Sequence, residues 1–308
     1  MKQLINDGLY PVTLTPFNND HSIDWDGMSH LIDFYLDSGA DGLFINCASS
    51  EIQYLSSQDM LEIASFAAKK VNERKPVLSG AIMHDKIESQ AEFIKKILDI
   101  GVDVAVIAVN QLADESEEDS VWKSRAEKLM ELTGDFALGI YECPLPYHRL
   151  LDIELYEWVA KTGRFVFHKD TSCDTNKIKE KIRMSNGSNL KFFNAHIDTL
   201  LDSLNYGGNG YSGIMSNFYP DLCAALCKRH GEGAEFSMNL QNLLSNTEEN
   251  ILKISNVYPA VAKCFLKLKG VPLNHICKYR PTELTDQQLE QLQILSREVE
   301  SVGKSYLV

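Results

Sequence analysis

Short apolar runs alternate along the chain with longer segments in which apolar residues recur every three or four positions. The runs occupy residues 10–15, 42–46, 77–82, 102–109, 136–143, 165–169, 190–195 and 210–215, and most are apolar on both faces. Strands covered by helices on one side and by core on the other have this character. The segments between them carry helix signals. Asp24 precedes a stripe of Met28, Leu31, Ile32, Tyr35 and Leu36 that stops at Gly39. Ser56 with Asp59 forms a capping-box pattern ahead of Met60, Ile63, Ala64, Ala67 and Val71. The stripe Ile87, Ala91, Ile94 and Leu98 stops at Gly101. A glycine at the helix stop followed by a β-branched strand is what a βα repeat needs.

Eight units of this kind predict an α/β fold, a (β/α)8 TIM barrel, over residues 1–230. Its last helix runs from about Tyr219 to Arg229. Residues 231–308 show no strand pattern but further stripes: Leu240, Leu243, Leu244 and Ile251, then Val261, Phe265 and Leu268. A final helix opens at Thr285 with Gln288 as its capping partner and continues through Leu289, Leu292, Leu295 and Val299. The expectation is a barrel with a C-terminal helical extension. An open doubly wound sheet is the competing topology, but no Gly-x-Gly-x-x-Gly turn follows any strand.

Charge and composition then narrow the function. The 308 residues are 44% hydrophobic and 24% charged, with a net charge of -13. That acidity disfavours a nucleic-acid groove. The densest basic stretch, 177–183, alternates with Glu180 and apolar residues, as a solvated helix face does. No apolar run approaches the roughly 20 residues of a membrane span, and the first eight residues lack a secretion-signal pattern. The seven cysteines are scattered without a Cys-x-x-Cys pair. Cys223 and Cys227, one helical turn apart and near His230, read as a buried helix face rather than a metal site. The expectation is a reduced, cytoplasmic protein.

In such barrels, chemistry gathers at the carboxyl ends of the strands. That rule selects Ala48, Ser49 and Ser50 after strand two, His84 after strand three, Asn110 and Gln111 after strand four, and Tyr141 on strand five. It adds Lys169 on strand six, Asn194 and His196 after strand seven, and Ser212 on strand eight. Lys169 closes the run Phe165-Val166-Phe167, so its stem starts in the apolar barrel. Burial lowers a lysine's pKa and makes its amine a nucleophile toward carbonyls. Tyr141, on the neighbouring strand, supplies a phenol that can exchange protons with a carbinolamine oxygen. The Ser49 and Ser50 hydroxyls and nearby amides suit a carboxylate.

These residues carry a resemblance to the dihydrodipicolinate synthase and N-acetylneuraminate lyase family of class I, Schiff-base-forming aldolases. Val12-Thr13-Leu14-Thr15-Pro16-Phe17 resembles the family's opening strand. Glu51 with Leu55 matches the end of its Gly-x-Thr-Gly-Glu loop. Tyr141-Glu142-Cys143-Pro144 is similar to its Tyr-Asn-x-Pro motif, and Lys169-Asp170-Thr171-Ser172 to its Lys-Asp/Glu-Ser/Thr motif. The turn Gly207-Gly208-Asn209-Gly210-Tyr211-Ser212-Gly213, and Tyr258-Pro259 with Lys263, complete a match in order and spacing over nearly the whole chain. The resemblance implies that Lys169 forms an iminium with pyruvate or a pyruvate-containing substrate and that Tyr141 shuttles protons. It implies that Ala48 and Ser49 cradle the carboxylate while backbone near Ser212 lines the lysine. It also implies that no metal or organic cofactor is needed and that the assembly is a homotetramer, a dimer of dimers.

The departures redirect the substrate. Cys47 and Ser50 replace both family glycines of the carboxylate loop. Ala48 and Asn110-Gln111 stand where dihydrodipicolinate synthases complete a hydroxyl relay, and Pro146 replaces their second carboxylate-binding arginine. Lysine biosynthesis is therefore disfavoured. The stretch 144–149, with His84, Asn110, Gln111, Asn194 and His196, predicts a neutral hydrogen-bonding mouth suited to a 2-keto-3-deoxy sugar acid. The expected activity is aldol cleavage, condensation or dehydration. A catalytically impaired keto-acid-binding or regulatory barrel is the alternative. A metal-dependent barrel lyase ranks last, because only His84, Asp170 and His196 are at hand for it.

Overall fold

A computed structural model describes residues 5–81, 86–279 and 283–307. Eight parallel strands form one curled sheet: β1 (Gly8–Leu9), β2 (Leu43–Ile45), β3 (Val77–Gly80), β4 (Val104–Ala108), β5 (Leu138–Tyr141), β6 (Phe165–Asp170), β7 (Lys191–Asn194) and β8 (Gly210–Tyr211). Their order is β1-β8-β7-β6-β5-β4-β3-β2. A parallel bridge between Val12 and Phe44 brings the first segment onto β2 and closes the circuit. The helices between are α1 (Trp25–Asp37), α2 (Ser57–Val71), α3 (Ile87–Asp99), α4 (Asp119–Leu132), α5 (Ile153–Lys161), α6 (Thr175–Ser185), α7 (Leu200–Asn205) and α8 (Pro220–Arg229). The expected (β/α)8 barrel is the fold.

The capping signals act as the sequence predicts. The Asp24 side chain accepts from the Gly27 amide, and Ser56 with Asp59 closes a reciprocal capping box. The strands are shorter than the apolar runs. The run 10–15 contributes only a bridge, because Pro11 has no N–H to donate. Its backbone still bonds both neighbours, Tyr10 N to Tyr211 O at 2.9 Å and Thr13 N to Phe44 O at 2.9 Å. At Gly210, φ is 156°, and a Cβ there would lie 1.8 Å from the Gly8 carbonyl oxygen. Only glycine lets β1 and β8 come this close.

Alternation along the strands sorts side chains to two cores. Tyr10, Val12, Phe44, Leu78, Val104, Val106, Phe167 and Phe193 fill the barrel. Tyr10–Phe193 and Phe167–Phe193 ring centroids are 4.8 Å apart, and Phe44–Phe167 are 5.7 Å apart. The outward set packs against the helices, where Cys223 and Cys227 are buried on α8 as expected. Among the described residues no helix is long and apolar enough to cross a membrane.

The extension comprises α9 (Ala234–Ile254), α10 (Ala260–Leu268) and α11 (Asp286–Gly303), the last opening on the Thr285/Gln288 capping box. A buried ion pair ties it to the barrel. Lys263 Nζ lies 2.6 Å from Glu51 Oε1, with both side chains fully buried. The ammonium also donates to the Ile276 carbonyl at 2.7 Å, and Glu51 Oε2 accepts from the Tyr279 amide at 2.6 Å. Removing one partner of such a pair strands the other charge. Lys263→Met is expected to destabilise the protein by about 3–5 kcal/mol in denaturant unfolding, with part recovered in the Glu51→Gln/Lys263→Met double variant. A single variant within 1 kcal/mol of wild type, on that same scale, would contradict this role.

Candidate active site

Lys169 and Tyr141 meet as register dictates. They are paired positions of β6 and β5, and both side chains point into the barrel above the aromatic floor. Lys169 Nζ lies 4.3 Å from the centroid of the Tyr141 ring and 5.6 Å from that of Phe44. The two residues are 5% and 4% exposed, so the amine sits among ring faces and not in water. Burial lowers the Lys169 pKa from its ordinary 10.5, while the Cys47 and Cys143 thiols oppose that shift. Burial also pushes the Tyr141 phenol well above its ordinary value, with Cys143, Cys47 and Tyr258 adding to the effect. The pair is thus a lysine biased toward free amine beside a phenol that keeps its proton.

The loop after β2 faces this pair. Ala48, Ser49 and Ser50 form a single 3-10 turn whose own hydrogen bonds leave out the Ala48 and Ser49 amides. Ser49 is 4% exposed and its Oγ accepts from the Tyr258 hydroxyl at 2.8 Å. Ser50 serves the loop itself, since its Oγ donates to Thr13 O at 2.6 Å and accepts from Cys47 N at 3.1 Å. Asn46 and Glu51, which flank the turn, adopt positive φ of 50° and 59° without being glycine. Gly80 lies under the turn, where a Cβ would meet the Asn46 carbonyl at 1.9 Å.

Several other expected mouth residues are engaged elsewhere. Asn110 Nδ2 donates to the carbonyls of Cys143, Leu145 and Tyr147 at 2.9, 2.7 and 2.7 Å, which holds the loop after β5. Asn194 turns outward, donating to Thr199 Oγ1 at 2.9 Å and accepting from His196 N at 2.8 Å. Ser212 Oγ donates to the Tyr10 carbonyl at 2.9 Å. His196 is partly exposed, 3.6 Å from Asp198. Arg149 is bound to Asp119 and to the Asp114 and Glu117 carbonyls, on the far side of its loop. His84 lies outside the described residues. The side chains of Asn110, Asn194, Ser50 and Ser212 therefore act as backbone ties, a role that strand-end position alone does not distinguish from substrate contact.

In the segment 177–183, Lys177, Lys179, Glu180 and Arg183 are exposed, as expected of a solvated helix face, but Lys181 is not. Lys181 is 3% exposed, and its Nζ bridges Glu142 Oε1 at 2.6 Å and Asp170 Oδ2 at 2.7 Å. These carboxylates are the outward neighbours of Tyr141 and Lys169. His168 Nε2 lies 3.4 Å from Glu142, so Glu142, His168 and Asp170 form a compact set of possible metal ligands, with the Lys181 ammonium on both carboxylates. Burial alone would raise Glu142, but Lys181 and His168 hold it well below the usual carboxylate range. A signal was present in the sequence. Ile178, Lys181, Ile182 and Ser185 share one helical face, and all four are buried on α6.

Glu248 on α9 is a second titratable group that the sequence did not mark. Its Oε2 is buried with no hydrogen-bond partner among the described residues, and burial, with Asp198 nearby, pushes its carboxyl up to about 8.

Fold and site together define a parallel α/β barrel with a buried amine and a phenol side by side at the carboxyl ends of its strands. The chain belongs to the dihydrodipicolinate synthetase family, whose model matches residues 6–298. The family comprises class I aldolases acting on pyruvate, lyases and synthases that use a lysine Schiff base. The 4-hydroxy-tetrahydrodipicolinate synthase of Oceanobacillus iheyensis is 25% identical over 282 residues, covering 91% of this chain and 92% of that protein. Two solved structures share the fold. The Escherichia coli K12 prophage protein YagE, in complex with pyruvate, has a TM-score of 0.86 at 21% identity, covering 96% of this chain and 98% of that one. The N-acetylneuraminate lyase of Fusobacterium nucleatum, complexed with pyruvate, has a TM-score of 0.82 at 17% identity, covering 97% and 98%.

Two outcomes follow for the buried charges. Lys181→Met leaves Glu142 and Asp170 without their cation and is expected to cost about 3–5 kcal/mol at neutral pH. Glu142 is depressed in the fold, so its contribution is present above the ordinary value of 4.5 and is lost as pH falls through the depressed one. The gap between variant and wild type should therefore narrow on acidification, and a pH-independent gap would refute the assignment. Glu248 has the opposite sign. Its folded value is raised, so its contribution is complete below 4.5 and fades as pH rises through about 8. Glu248→Gln should match wild-type thermal stability at pH 5 and exceed it at pH 9; equal melting at both values would count against it.

Proposed function

We propose that this protein is a Schiff-base lyase or aldolase acting on pyruvate or on a 2-keto-3-deoxy sugar acid. The observation that carries the reading is the Lys169 amine, buried 4.3 Å over the Tyr141 ring at the end of β6. In the proposed reaction the amine adds to the substrate ketone, and Tyr141 protonates the carbinolamine oxygen so that water leaves and an iminium forms. When the C3–C4 bond breaks, its electron pair passes into the C2–C3 enamine. The proton of the C4 hydroxyl passes to the active-site base as the aldehyde departs. Condensation runs the same steps backward. Dehydration instead removes a C3 proton from the iminium of the intact substrate, and the resulting enamine expels the C4 hydroxyl, which leaves as water with that proton. The Ala48 and Ser49 amides, with the Ser49 hydroxyl, are the proposed carboxylate cradle.

Two features favour a neutral partner half over a second acid. Arg149 is held by Asp119 and two carbonyls, and Pro146 occupies the position where a carboxylate-binding arginine would stand. A dimer of dimers is the proposed assembly.

Borohydride reduction in the presence of pyruvate, read by intact mass and peptide mapping, tests the reading. A Lys169 adduct absent from Lys169→Ala is the expected result, and its yield should rise with pH through a midpoint below the ordinary lysine value of 10.5. Wild-type protein that forms no adduct with pyruvate or a panel of longer 2-keto acids would leave the keto-acid-binding alternative in its place.

A further inference from the structure

The loop after β2 receives a side chain from far along the sequence. Tyr258 stands at the start of α10, yet its hydroxyl lies 2.8 Å from Ser49 Oγ. Asn217 stands behind it, with Nδ2 2.7 Å from the Tyr258 hydroxyl and 3.0 Å from the Val12 carbonyl oxygen. The hydroxyl of Tyr35 donates to Asn217 Oδ1.

The direction of this chain is fixed at its inner end. A backbone carbonyl only accepts, so the Asn217 atom facing Val12 is the amide nitrogen, which also donates to Tyr258. The Tyr258 oxygen thus accepts from Asn217, and its single proton is directed to Ser49. Ser49 Oγ in turn accepts, and its own proton is left for another group. Among the described residues that hydroxyl donates to no other atom of the protein. Ser49 adjoins the Ala48 and Ser49 amides, which lie outside the turn's own hydrogen bonds. Ala48 has no hydroxyl to compete. The Ser49 hydroxyl and these two amides are thus neighbouring donors with no acceptor inside the turn, and their common complement is an anionic oxygen pair.

We propose that Tyr258 is a positioning residue for carboxylate recognition: by donating to Ser49 it commits the Ser49 hydroxyl as a donor to the substrate carboxylate. The inference rests on the keto-acid reading above and deepens it, since it brings the helical extension into substrate selection. Burial keeps the Tyr258 phenol protonated, far above its ordinary value, so the donor direction holds across the working pH range.

The test compares two trapping probes that share a reactive ketone, pyruvate and its neutral methyl ester, in wild type, Tyr258→Phe, Ser49→Ala and the double variant. Tyr258→Phe should raise the pyruvate concentration for half-maximal trapping on Lys169 about tenfold, the scale of one charge-assisted hydrogen bond partly lost. The methyl ester should shift by less than about twofold. In the Ser49→Ala background the Tyr258→Phe change should add little for either probe. Equal shifts for both probes would identify a merely structural role and overturn the inference. So would an unchanged pyruvate response, or a pyruvate shift that persists undiminished without Ser49. Wild-type protein that traps neither probe would instead overturn the keto-acid reading itself, so the two failures are distinguishable.

Discussion

Lys181 reaches from α6 to bridge Glu142 on the segment after β5 and Asp170 at the end of β6, and the geometry of the barrel mouth depends on that contact. Side chains alternate along a strand, so each residue that looks into the barrel has a neighbour that looks out. Tyr141 and Glu142 are one such couple, and Lys169 and Asp170 are another. Three charges removed from water hold their places only while all three are present, because each would be a large penalty alone. Further bonds close the cluster: Glu142 Oε1 accepts from Leu151 N at 2.9 Å, and Asp170 Oδ1 accepts from the Ser172 amide and hydroxyl. The pairing that brings the amine over the phenol is thus enforced from behind.

Inside the barrel the opposite strategy prevails. Tyr141 and Phe44, backed by Phe167, Phe193 and Tyr10, offer Lys169 ring faces and no carboxylate. A cation–π contact stabilises an ammonium far less than water does, so the apolar floor biases the group toward free amine. Had Asp170 faced inward, its charge would have held the lysine protonated and unreactive. The single-residue offset between Lys169 and Asp170 therefore separates a buried amine biased toward its free form from a carboxylate paired with Lys181.

Much of this arrangement was legible in the sequence, and the parts that were not share a physical cause. Lys169 and Tyr141 could be placed because an apolar run ending in a polar residue marks the mouth of a barrel strand. Helix starts were legible at Asp24, Ser56 and Thr285 because capping is local, reaching only to the third helical residue. Lys181 was misread because charge was weighed ahead of the face it occupies, although Ile178 and Ile182 flank it on the buried stripe. Asn110, Asn194, Ser50 and Ser212 sit at strand ends, where polar side chains serve loop backbone as readily as ligand. Tyr258 was out of reach for a different reason. Its contact with Ser49 spans 209 residues and exists only once the helical extension has docked.

That docking also reframes the replaced glycines of the loop after β2. Glycine is useful where a chain must enter the left-handed region, and its loss ordinarily argues for a collapsed or rebuilt pocket. Here Asn46 and Glu51 occupy that region themselves, and side chains hold them there. Asn46 Nδ2 donates to Met60 O at 3.0 Å and Ser79 Oγ at 2.9 Å, while Glu51 is clamped by Lys263 and the Tyr279 amide. Ser50, in place of the second glycine, adds bonds to Thr13 and Cys47 that a glycine could not make. The conformational freedom given up by the substitutions is replaced by cross-links to the segment after β1, to β3, to α2 and to the extension. An altered loop sequence is therefore no argument in itself for lost catalysis. It marks a loop held by side-chain hydrogen bonds, and that network needs the helical extension to be complete.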